Sequence, residues 1–346
     1  METTRMELKP GATVRIVSVG GDLRLTGCDA RRLEAKAGRG GGLRVSTRAE
    51  AVELTCESGC LVFLPADCAV EVGAVSGDGR VTDLAGPLMV GTIGGDLRLR
   101  RLREVSIGSV GGDLLAQRVR GRLQLETAGG DARLEKVQGQ VRLVSVGGDL
   151  RAVGLEHSLE ARVGGDASVS LAVQPGTSSS LHAGGDILCR LPPDSSLHAE
   201  LEAKGEVSVD GAEGLTRRAE SYVLTLGAGE ATLRAAAGGD LTVVVTAHAD
   251  PSDWASAITA EVEAALSEAE FDGDLGEGGL RASDVGEHVR RALDRALRSA
   301  PARGREEPEP GADMERERQM ILAMLADRRI TAEQAEALFR ALQGDS

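Results

Sequence analysis

The tripeptide Gly-Gly-Asp recurs through this sequence with its Asp at Asp22, Asp96, Asp113, Asp131, Asp149, Asp166, Asp186 and Asp240, and a Ser-Gly-Asp adds Asp78. From Asp78 to Asp166 the steps are 18, 17, 18, 18 and 17 residues. That period constrains the fold more than any other feature. A unit so short cannot bury its own apolar face, so it must stack on copies of itself along an axis. Filling the gaps in register puts Gly42 and Cys60 at the Asp position, and Glu206 further on, so the period runs from Asp22 onward.

Aligned on the Asp, apolar residues fall at offsets −8, −6, −3, +1, +3 and +6. Val105, Ile107, Val110, Leu114, Ala116 and Val119 fill them around Asp113, and Leu123, Leu125, Ala128, Ala132, Leu134 and Val137 around Asp131. The same columns place Leu43 and Val45 after Gly42, and Phe63 after Cys60. The second triplet is the first shifted by nine, so each unit is two short alternating strands, each closed by a turn. The fold predicted is mainly β: a single-stranded β-solenoid, or parallel β-helix, of about 18 residues per rung, followed by a C-terminal α-helical region. Roughly a dozen rungs at about 4.8 Å spacing give a stack on the order of 60 Å long.

Composition agrees with a narrow coil. Aromatic residues make up 1% of the chain although 41% is hydrophobic, because aliphatic side chains fill a slender core that a Trp on every rung would overpack. The same scarcity removes the stacking platforms of a single-strand nucleic-acid groove, and a net charge of −14 repels phosphate backbones, so no nucleic-acid partner is expected. No apolar run approaches the roughly 20 residues of a transmembrane helix. Residues 1–10 carry no apolar leader core. Five unevenly spread cysteines (Cys28, Cys56, Cys60, Cys68 and Cys189) read as free thiols, and the expected location is cytoplasmic.

The expected organisation is a repeat domain over 1–249, amphipathic capping helices over 250–300, a disordered linker over 301–313 and a helical hairpin over 314–346. Asp250 is placed to cap a helix, with Pro251 at its first position. Trp254, Ile258, Val262 and Leu266 then share one face. Within the hairpin, Ile321 and Leu325 lie on one stripe, and Leu338, Phe339 and Leu342 on the second, after a Thr331–Gln334 capping box. About 30 residues bury little alone, so this face is expected to dock on a protein partner or a second copy.

The G-G-D-[L/A/I] turns with flanking alternation resemble the bacterial "putative adhesin" β-solenoid family of unknown function, over about residues 12–248. The segment ILAMLADRRITAEQAEALF (321–339) resembles the short SHOCT-like helical hairpin, with Arg328 where that pattern has Gly. The resemblance implies a solenoid, a link to envelope-stress responses in some members, and no catalytic residues to carry over.

Three candidate sites follow. The Asp column (Asp22, Asp78, Asp96, Asp113, Asp131, Asp149, Asp166, Asp186 and Asp240) suggests calcium. Calcium-binding solenoid repeats, however, use G-G-x-G-x-D with carbonyls converging from two turns. Here an apolar residue follows each Asp, and a structural turn Asp bonding backbone amides is the reading we favour. Two residues on, Arg24, Arg44, Arg80, Arg98, Arg133 and Arg151 form either an anion-binding ladder for an anionic envelope surface or a solvated face neutralised by the Asp column; we favour the second. The third site is the hairpin face. No metal, cofactor or catalytic constellation is expected: the cysteines lack a CxxC pair, the histidines lack ligand spacing, and the GxG patterns lack a strand–loop–helix context. The expected function is a non-enzymatic scaffold, or adhesin-like interaction protein, with a hairpin for self-association or partner binding. The alternative is a bactofilin-like polymer joined end to end.

Overall fold

The computed structural model describes residues 3–246 apart from 10, 39–40, 49–50 and 219–220. The helices, linker and hairpin expected beyond residue 249 lie outside the described residues. All regular structure in the described part is β, 25 strands joined in one hydrogen-bonded system.

Most of these strands belong to two parallel stacks, an arrangement consistent with a β-solenoid. One stack runs Ala51–Cys56, Thr13–Val19, Ala69–Val75, then the second halves of Gly79–Ile93 and Leu97–Val110. It continues through Leu123–Ala128, Val141–Val146, Leu159–Val163, Ser178–Ala183, Ala231–Ala237 and Leu197–Ala203. The other runs Cys60–Pro65, Leu23–Cys28, then the first halves of the same two long strands. It continues through Leu114–Val119, Ala132–Val137, Leu150–Leu155, Ala167–Leu171, Ile187–Leu191, Leu241–Val245 and Val207–Asp210. One strand of each stack makes a tier.

The six apolar columns are the core. Around Asp131 all six residues are at most 1% exposed, and around Asp149 at most 2%. At offset +3 the register Leu99↔Ala116↔Leu134↔Ala152 alternates large and small side chains from tier to tier. Such alternation lets stacked side chains interdigitate in a narrow interior. Offsets −7 and +2 alternate with the buried ones and face mostly outward, as a period of two requires, whereas offset +4 is half-buried or, at Arg100 and Gln117, buried.

The structure corrects the sequence reading at both ends. Residues 13–28 do not form the terminal tier; they lie between 51–65 and 69–84. Residues 231–245 likewise lie between 178–191 and 197–210. Gly42 is not an Asp-column position. The strand after it, Leu43–Arg48, runs antiparallel to Ala51–Cys56, and Leu43 and Val45 therefore leave the columns. The motif Gly41-Gly42-Leu43 has no carboxylate with which to hold a neighbouring tier. Cys60 is one place out of register as well: it pairs with Leu23, so Val62 and Leu64 are buried and Phe63 is only half-buried.

Antiparallel strands cover both strands of one end tier and one strand of the other, where among the described residues Val207–Asp210 pairs only with Leu241–Val245. Arg32–Ala37 lies on Cys60–Pro65, with Thr3–Glu7 beyond it. Ser221–Leu226 lies on Leu197–Ala203, with Thr216–Arg218 beyond it. These pairings blunt the open edges on which another chain would template. The outermost pair is pinned by charge. Arg5 donates to Glu34 at 3.1 Å, and Lys36 Nζ is 3.2 Å from the same oxygen. Arg5, then Lys36, hold the Glu34 carboxyl down at about 2.

Candidate functional site

The corner that carries Gly-Gly-Asp is built by one repeated contact. Oδ1 of Asp22 accepts the backbone N–H of Asp78 at 2.9 Å, and Asp78 accepts that of Asp96 at 2.9 Å. The series continues through Asp113, Asp131, Asp149, Asp166, Asp186 and Asp240 at 2.8–3.0 Å and ends on the N–H of Glu206 at 2.8 Å. Each Asp therefore caps the next tier rather than its own turn. The glycine before it is required by space. A Cβ on Gly112, Gly130 or Gly148 would overlap Oδ1 of the Asp one tier away. The first glycine is required similarly, since a Cβ on Gly111 or Gly129 would overlap the carbonyl of its stacked counterpart. All three positions of the motif thus answer to the neighbouring tier.

This geometry spends one oxygen of every carboxylate on an amide and leaves the other facing outward. Calcium asks for six to eight converging oxygens, and a pinned Oδ1 cannot turn toward a cation. Among the described residues no group of three or more His, Cys, Asp or Glu side chains is placed to hold a metal ion.

The arginine column lies beside this ladder. Arg24, Arg80 and Arg98 are register neighbours, Leu115 interrupts the row, and Arg133 pairs with Arg151. Arg98 reaches Asp78 at 3.9 Å and Asp96 at 3.6 Å. Arg44 does not belong to the column. It sits on the antiparallel strand Leu43–Arg48 and reaches Glu57 at 3.3 Å. A second outward column alternates in sign. Arg15 lies between Glu53 at 3.7 Å and Glu71 at 2.8 Å, Arg142 reaches Glu160 at 3.1 Å, and Arg234 reaches Glu200 at 2.9 Å. These exposed pairs each contribute little to stability, but they match charge between tiers.

The remaining reactive groups serve the fold. All five cysteines are free, and four are buried. Burial pushes the Cys60 and Cys189 thiols up to about 12 and that of Cys68 to about 11, with Cys56 adding to the shift at Cys60. Such thiols stay protonated and poorly nucleophilic near neutral pH. His157 Nδ1 accepts the backbone N–H of Ser158 at 2.8 Å, and His198 Nδ1 lies 3.1 Å from Thr225 Oγ1. The hairpin face of Ile321, Leu325, Leu338, Phe339 and Leu342 lies outside the described residues, as do the helices expected over 250–300.

One column escaped the sequence reading. Five residues after the Asp, Asp83, Arg101, Arg118 and Lys136 adopt left-handed φ of 62°, 54°, 57° and 55°, and Gly154 follows at 69°. Only Gly154 announces such a conformation in the sequence. Asp83 makes a bidentate ion pair with Arg101, in which Nη2 donates to Oδ2 at 2.6 Å.

No protein-family model matches this chain, and no curated protein matches it. Among solved structures, a "putative cell adhesion protein" from Clostridium sporogenes is similar over 71% of this chain and 99% of its own, at 10% identity and a TM-score of 0.16. A "putative adhesin" from Bacteroides fragilis is similar over 71% of this chain and 96% of its own, at 12% identity and a TM-score of 0.21. Among the described residues no helix is long and apolar enough to cross a membrane.

Proposed function

We propose that this chain is a non-catalytic scaffold, an adhesin-like interaction protein. In this reading a single-stranded β-solenoid over 1–249 is a stiff mount, and the SHOCT-like hairpin over 314–346 makes the contact with a second copy or a protein partner, in the cytoplasm and in an envelope-stress response. The observation that carries it is the Asp ladder. Nine consecutive carboxylate-to-amide bonds are spent on holding tiers together, where an enzyme would converge such groups on a substrate. The antiparallel strands over Ala51–Cys56, Cys60–Pro65 and Leu197–Ala203 favour this reading over end-to-end polymerisation, since an open parallel edge is what a polymer would extend.

The test compares the full chain with one lacking 314–346 by analytical ultracentrifugation and partner pull-down. Loss of assembly and of capture, with β content by circular dichroism unchanged, is the expected result. Assembly that survives the deletion removes the hairpin from the mechanism, and filaments in electron micrographs at rising concentration would replace the scaffold with the polymer.

A further inference from the structure

The corner away from the Asp ladder carries a basic cluster that the chain's overall acidity hides. Its turns stack as the Asp turns do. The N–H of Arg120 donates to Leu102 O at 3.0 Å, and that of Gln138 to Val119 O at 2.9 Å. The N–H of Val105 donates to Arg122 O at 2.9 Å, and that of Leu123 to Gln140 O at 2.9 Å. Arg103, Arg120 and Gln138 therefore follow one another along the stack at about 4.8 Å per tier, with Arg122 and Gln140 beside them. Arg103, Arg120, Arg122 and Lys136 are all exposed, and none is ion-paired among the described residues. Glu104 is the one acid in these three turns, residues 103–104, 120–122 and 138–140. The run is bounded by uncharged residues 85–87 on one side and by Glu156 on the other.

Two observations separate this cluster from an ordinary solvated face. The arginine column at the other corner lies against carboxylates, with Arg98 near both Asp78 and Asp96; here Arg101 is paired with Asp83, while Arg103, Arg120, Arg122 and Lys136 make no ion pair among the described residues and share one neighbouring acid, Glu104. The cluster also coincides with the left-handed residues Arg101, Arg118 and Lys136. Non-glycine residues are strained in that conformation, and such strain gathers at working surfaces.

We infer that this corner binds a linear anionic polymer, lying along the tiers, whose phosphate or carboxylate groups are gripped by Arg103, Arg120 and Arg122 and approached by Lys136. Guanidinium forks suit either oxyanion. The neighbouring Gln138 and Gln140 side chains are further hydrogen-bond donors. A bilayer surface is disfavoured because the three turns themselves carry no apolar side chain to insert; of the large exposed hydrophobics, Met89 lies past the neighbouring turn, in register with Ser106. Nucleic acid is disfavoured by the absence of an aromatic platform. The inference names a ligand class for the proposed scaffold and rests on that reading. Its test does not involve the hairpin, so either can fail alone.

Titration calorimetry of the full chain with short polyphosphate and with polygalacturonate, at low and raised salt, tests the inference. Binding to at least one polymer is expected, weakening steeply with salt, and the preferred polymer identifies the oxyanion. The triple substitution Arg103→Ser, Arg120→Ser, Arg122→Ser should weaken that binding about tenfold or more. The control triple Arg24→Ser, Arg98→Ser, Arg133→Ser should change it less than about twofold. Thermal melts and circular dichroism of both triples exclude unfolding as the cause. No binding to either polymer, equal loss in both triples, or binding confined to phosphatidylglycerol vesicles or duplex DNA would overturn it.

Discussion

The two corners of each tier face the same mechanical task and solve it differently. At the Asp corner one solution recurs almost unchanged from Asp22 to Asp240: a glycine that clears a carbonyl, a glycine that clears a carboxylate, and an Asp that bonds the next tier. At the opposite corner the turns read Ala85-Gly86-Pro87, Arg103-Glu104, Arg120-Gly121-Arg122, Gln138-Gly139-Gln140 and Glu156-His157-Ser158. There the backbone bonds persist while the side chains change. A corner whose side chains hold the register cannot vary. One that leaves the register to its backbone is free to carry a surface, and the basic cluster occurs there.

Substitutions at the two corners test this division, and the largest effect belongs to the crowded glycines. Gly130→Ala puts a Cβ into Oδ1 of Asp113 and brings it to 3.1 Å from Gly112 C. Overpacking of this kind costs about 1–3 kcal/mol, read as a drop in the urea midpoint. Combining it with Asp113→Ala should cost less than the sum of the two by roughly 1 kcal/mol, because the colliding atom is gone. Full additivity would mean the glycine answers to something else. A smaller effect is expected at the capping carboxylate. Asp131→Ala strands the N–H of Asp149 from its 2.8 Å acceptor and should cost about 0.5–1.5 kcal/mol, whereas Gln138→Ala on the opposite corner should stay within about 0.5 kcal/mol. Equal costs would erase the distinction. Smallest, and of opposite sign, is Lys136→Gly. Relief of a left-handed lysine, about 1–2 kcal/mol, less the backbone entropy of glycine, about 0.5–1 kcal/mol, leaves a gain of about 0.5 kcal/mol in denaturant melts. The same variant should bind the anionic polymer more weakly. A stabler protein with undiminished binding would detach the strain from the surface.

What the sequence discloses and what it conceals follow from the same geometry. The phase of a residue around the coil is written in the repeat. Val105, Leu125 and Leu143 could be assigned inward because a strand alternates and the period fixes its register. Position along the axis is not written there. Any tier presents the same six columns to its neighbours, so nothing local distinguishes 51–65 from 69–84 as the partner of 13–28. The Arg15 contacts with both Glu53 and Glu71 record the order only once it is known. Gly42 misled because Gly-Leu-Arg-Val copies the unit in every respect except the carboxylate, and that carboxylate makes the inter-tier bond. The arginine column and its neutralisation by the Asp column were both legible, while the reach of Arg98 to two carboxylates on different tiers was not. The basic corner was hidden for another reason: its residues fall at turn positions, where no periodicity singles them out.

The inserted tiers bear on how such a stack comes apart. Residues 13–28 and 231–245 are each hydrogen-bonded along both edges, beneath a lid supplied by a later or earlier stretch of the same chain. Tension on either flank of the repeat region therefore meets a strand that cannot peel one bond at a time and must shear two ladders together. Resistance to force and to proteolytic fraying becomes a property of the weave and not of any single bond, which gives the repeat region the durability of a rope whose ends have been spliced back into its lay.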